Sequence, residues 1–69
     1  MKYRITVRGI LDQSWAAWLD KAEMTPLDTE AAPVTMLRVD LPDQPALLGL
    51  LNRLADLNLT LISFQLEGD

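Results

Sequence analysis

Polar and apolar residues alternate strictly at the start of the chain. Tyr3, Ile5 and Val7 are separated by Lys2, Arg4, Thr6 and Arg8, the period-two signature of a strand with one buried and one wet face. Gly9 ends the run. From Asp12 the period changes. Trp15, Trp18, Leu19 and Ala22 fall on one arc of a helical wheel, which predicts a short amphipathic helix capped by Asp12, with both tryptophans as core anchors. Residues 22–27 read as a short strand, which Pro26 places at a sheet edge. Asp28 to Ala32 is a connection without glycine, so its turn type stays open. Residues 33–41 form a clearer strand, with Thr35, Leu37, Val39 and Leu41 on one face and Val34, Met36, Arg38 and Asp40 on the other.

Pro42-Asp43-Gln44-Pro45 stops that strand and opens a second helix, since proline is tolerated in a first helical turn. Asp43 or Gln44 is its N-cap and Asn58 its C-terminal stop. Its leucines, from Leu47 to Leu57, cover about half the wheel. Residues 59–66 predict a last strand with Ile62, Phe64 and Leu66 on one face and Leu59 and Leu61 on the other; Glu67-Gly68-Asp69 reads as a tail. The order βαββαβ predicts an α+β ferredoxin-like plait spanning residues 1–69 as one domain. It has a four-stranded antiparallel sheet, in spatial order 4-1-3-2, with two helices on one face.

Composition narrows the chemistry. The 69 residues include neither cysteine nor histidine. That excludes disulfides and thiolate metal sites, and removes the commonest general acid/base and metal ligand. Catalytic signatures such as a nucleophile elbow, a phosphate-binding loop or a paired carboxylate are missing. The expected chain is therefore non-catalytic, without cofactor or metal. With a formal charge of −4 it repels nucleic acid and anionic membranes. The start of the chain lacks a signal-peptide pattern and no apolar run approaches a membrane span, so the expected location is the cytoplasm.

Two surfaces stand out. Lys2, Arg4, Arg8 and Arg38 occupy strand positions opposite the apolar set, a basic stripe on an acidic chain. With Asp43 and Gln44 at the helix start, Arg4, Arg8 and Arg38 form a candidate surface for an acidic protein partner or a small anionic ligand. The other surface follows from an apolar surplus. Hydrophobic residues make up 49% of the chain, fourteen of them leucine, more than two short helices on one sheet can cover. A domain this small has a thin core. A homo-oligomer, expected as a dimer, would cover the excess, with Met36, Leu59 and Leu61 as the candidate interface.

Two stretches carry resemblances. Leu11-Asp12-Gln13-Ser14-Trp15-Ala16-Ala17-Trp18, and Asp43-Gln44 followed by Leu47, Leu50, Leu51, Leu54, Asp56 and Leu57, resemble a group of small uncharacterised bacterial proteins with L-D-x-S-W-x-x-W early and D-Q-x-x-L-x-x-L-L late. The resemblance implies no activity. Val39 to Gln65, with Asp43-x-Pro45 and Asn58-Leu59-x-Leu61-Ile62-Ser63, is similar to the start of an ACT-type regulatory domain, although Ala46 stands at that family's glycine and the motif follows the third strand. This second resemblance implies a βαββαβ fold and the binding of amino acids at oligomer interfaces.

Overall fold

In the computed structural model, which describes residues 1–68, four strands form one antiparallel sheet: β1 (Lys2–Arg8), β2 (Glu23–Asp28), β3 (Pro33–Asp40) and β4 (Leu61–Gly68). Their order across the sheet is β2-β3-β1-β4, the expected 4-1-3-2 order read from the other edge. The helices depart from expectation. Among the described residues only one α-helix forms, α1 (Gln44–Asp56); the segment predicted as the first helix is a six-residue 3-10 turn, Gln13–Trp18. The ferredoxin-like plait with two helices on one face is thus not what this chain builds.

The backbone just beyond the turn shows how the helix is cut short. Asp12 caps it, accepting from the Ser14 N–H at 2.9 Å, but Asp20 and Lys21 both take left-handed φ values, 56° and 57°, which stop a helix at once. The tight turn suits residues three apart, which eclipse in a 3-10 helix. Leu19 and Ala22 are delivered to the core, Trp15 is half-buried, and Trp18 stands 65% exposed. Trp18 is therefore not the core anchor its spacing suggests.

The end of α1 follows its sequence closely. Asp43 is the N-cap, accepting from the Ala46 N–H at 2.9 Å. At the other end Asn58 takes φ 63°. The Asn58 N–H donates to the Ala55 carbonyl and the Leu59 N–H to the Leu54 carbonyl, at 2.9 and 3.0 Å. This is the paired closure of a Schellman motif. Leu59 then packs against the core.

Leu47, Leu50 and Leu54 of α1 bury against Tyr3, Ile5 and Val7 of β1, Leu37 and Val39 of β3, and Met24 of β2. Thr35 is the buried polar residue beside them. Its hydroxyl donates to the Gly9 carbonyl at 2.6 Å and accepts the Leu11 N–H at 3.0 Å, so it ties β3 to the loop leaving β1. The glycine-free β2–β3 connection is closed by Thr29, whose hydroxyl accepts the Ala32 N–H at 3.1 Å and donates to the Ala32 carbonyl.

One strand sits outside this packing. Every described residue of β4 is exposed or half-exposed. A helix is about 10–12 Å wide and strands lie about 4.8 Å apart, so one helix covers roughly two strands. Here the core beneath α1 draws on β1, β2 and β3 and on no residue of β4, and the 3-10 turn packs beside β2. The missing second helix leaves the helix side of β4 bare. The expected tail is also revised: Glu67 and Gly68 belong to β4, and Asp69 lies outside the described residues.

Candidate functional site

The bare strand is built by its register. Val7 faces Leu61, Thr6 faces Ser63, Ile5 faces Phe64, Arg4 faces Gln65 and Tyr3 faces Leu66, while the pairing slips at Ile62 and again at Glu67. Each slip is a bulge, one extra residue on β4 without a partner on β1. Facing residues in an antiparallel pair point to the same side. Leu61, Phe64 and Leu66 therefore all lie on the helix side, with Val7, Ile5 and Tyr3. The expected division of this strand, with Leu61 opposed to Phe64 and Leu66, is corrected by the bulge at Ile62, which resets the alternation. Yet Val7, Ile5 and Tyr3 are buried, whereas Leu61, Phe64 and Leu66 are 40%, 50% and 51% exposed.

The proposed grouping of Met36 with Leu59 and Leu61 does not hold in space. Met36 faces Thr6, which puts it on the open side of the sheet. Leu61 is on the helix side, and Leu59 is half-buried against the core. Phe64 and Leu66, absent from that candidate interface, are the residues that join Leu61. Their signal in the sequence was the uncharged run from Leu61 to Leu66.

The basic surface divides as well. Arg4 and Arg38 face each other directly across β1 and β3. Glu67 lies between them, its carboxylate 3.2 Å from Arg38 Nε and 3.8 Å from Arg4 Nη1. The hydrogen bond from Arg38 to Glu67, reinforced by the carboxylate's charge, raises the Arg38 guanidinium pKa above its ordinary value. Arg38 and Glu67 border a shallow cleft of about 460 Å³, also lined by Lys2, Glu23 and Asp40. The Met1 amine approaches Asp40 at 3.2 Å. Both signs of charge are thus interleaved, and the arginines already hold a carboxylate. Arg8 pairs with Val34 at the other end of β1. Asp43 is occupied as a helix cap, and Gln44 begins the helix that covers the opposite face. The five candidate residues therefore do not form one site.

At the far end of α1, a smaller apolar pocket of about 180 Å³ lies among Ser14, Trp15, Trp18 and Leu57. Arg53 ties this end together, donating to the Trp18 carbonyl at 2.9 Å and reaching Asp20 at 3.6 Å. No helix among the described residues is long and apolar enough to cross a membrane.

A family model described as a domain of unknown function, DUF8691, matches residues 2–65. No curated protein and no solved structure matches the chain.

Proposed function

The chain belongs to the DUF8691 family, and we propose that this domain works by self-association, as a non-catalytic interaction module whose docking element is β4. One observation carries the reading: Phe64 is half exposed on the same face, and in the same cross-strand pair, as the fully buried Ile5. A sheet edge with unpaired backbone groups and an uncovered apolar row is a surface in need of a partner.

A second copy of the chain fits it. Leu61 to Leu66 carry no charge, so two such strands meet without like-charge repulsion. Antiparallel pairing about a two-fold axis normal to the sheet keeps both helices on one side. It brings the two apolar rows together and closes as an isologous dimer. Sedimentation equilibrium tests the reading. A dimer of the 7.7 kDa chain at micromolar concentration is expected, with Phe64→Lys monomeric and retaining its circular dichroism. A native chain that stays monomeric to high micromolar concentration overturns it.

A second reading rests on Arg4 and Arg38. Two facing guanidiniums suit a small anionic ligand such as an amino acid carboxylate, provided it replaces Glu67. A rise in melting temperature with added amino acids, larger in Glu67→Gln, supports this reading; no shift in either protein removes it.

A further inference from the structure

The bulges at Ile62 and Glu67 leave a regular stretch, Ser63 to Leu66, between two irregular ones. We infer that the two-fold axis of the self-paired β4 strands passes through Gln65, so that Gln65 faces Gln65 of the partner subunit and Phe64 faces Leu66 of the partner subunit. This inference rests on the self-association reading above and specifies its register.

Facing residues must share a side of the sheet. Phe64 and Leu66 point to the helix side, Ser63 and Gln65 to the open side, by their pairing with Ile5, Tyr3, Thr6 and Arg4. A two-fold axis between two residues would set Phe64 against Gln65, one from each side, and is excluded. The axis must pass through a residue. Through Phe64, Leu66 would face the bulged Ile62 and the Glu67 carboxylate would face Leu61. Through Leu66, Phe64 would face Gly68 and the overlap would shrink to the strand end. Through Gln65, Phe64 and Leu66 meet twice, once on each side of the axis, and Glu67 falls beside the Ser63 hydroxyl on the polar side. The registers through Gln65 and Phe64 overlap equally, over residues 62–68 and 61–67, but only that through Gln65 pairs apolar with apolar and polar with polar across the regular stretch while keeping the Glu67 carboxylate off an apolar partner.

The absence of cysteine makes this testable with single substitutions. Facing Cα atoms in an antiparallel pair are about 4.5–5.5 Å apart, within disulfide range. In the proposed register Ser63 and Ser63 of the partner subunit are offset by four residues, about 13 Å along the strand. Gln65→Cys and Ser63→Cys are both exposed on the open side, so random collision affects them alike. Each is first shown to be dimeric by sedimentation under reducing conditions, then treated with the thiol oxidant diamide. Gln65→Cys is expected to close into a covalent dimer on a non-reducing gel while Ser63→Cys stays mostly monomeric. Closure of Ser63→Cys at the same rate or faster overturns the register but not the dimer. So does closure seen only when the Gln65→Cys and Ser63→Cys chains are mixed, which moves the axis to Phe64. Monomeric sedimentation of the native chain overturns the underlying reading, and the register with it.

Discussion

Ile5 and Phe64 face each other across β1 and β4, yet Ile5 is wholly buried and Phe64 is half exposed. The boundary of the core runs between these two cross-strand partners. Replacing each with alanine measures that boundary. Ile5→Ala is expected to lose about 2–5 kcal/mol of stability, the usual cost of a cavity in a closed core. Phe64→Ala, measured by denaturant titration at a dilution where monomer prevails, should lose about 1 kcal/mol, in proportion to its smaller burial. Equal losses would place β4 inside the core and remove the basis for an interface there.

Trp18 offers a similar contrast along the chain. Its carbonyl receives Arg53, but its side chain is mostly in water. Trp18→Ala should therefore cost about 1 kcal/mol or less, whereas Leu50→Ala, at a fully buried position, should cost about 2–5 kcal/mol. Thermal unfolding of the two variants side by side decides the order.

Thr35 is the polar residue inside the described core, and both its hydrogen bonds reach the loop after β1. Thr35→Val keeps the shape and strands the Leu11 N–H. A loss of about 1–3 kcal/mol is expected. Hydrogen exchange should show the Leu11 amide opening faster than the amides of β3. Unchanged protection at Leu11 would mean that the hydroxyl is dispensable.

Asn58 closes α1 in the left-handed region. Alanine there should cost about 1 kcal/mol, the steric penalty of that conformation for an ordinary L-residue. Glycine should be as stable as the native chain or slightly more so. If Asn58→Ala and Asn58→Gly melt together, the helix ends in another way.

Glu67 separates the facing pair Arg4 and Arg38. Like charges directly opposed on a sheet repel. Glu67→Gln should lower the melting temperature at low ionic strength, and the deficit should shrink as salt is added, because exposed charges are screened. A deficit independent of salt would point to packing instead of charge.

Much of this was legible along the chain. The alternation around Ile5, the proline at the edge strand β2, the Asp43 cap and the Asn58 stop are local properties. Each depends on a few neighbouring side chains and backbone preferences, so periodicity and capping chemistry suffice to place them. The strand order followed from chain connectivity. The fate of Gln13–Trp18 was not local. The helical spacing of its apolar residues is also compatible with a 3-10 turn, and the choice rested on delivering Leu19 and Ala22 to a sheet that only the folded chain provides. With that helix gone, one remaining helix could not span four strands, and Phe64 lost its cover. The bulges at Ile62 and Glu67 were equally hidden. A bulge exists only relative to a partner strand, and β1 lies more than fifty residues away in the chain. The same holds for Arg4 and Arg38, whose opposition and shared carboxylate arise from register. Composition and periodicity determine which residues avoid water; pairing across the sheet determines which of them succeed.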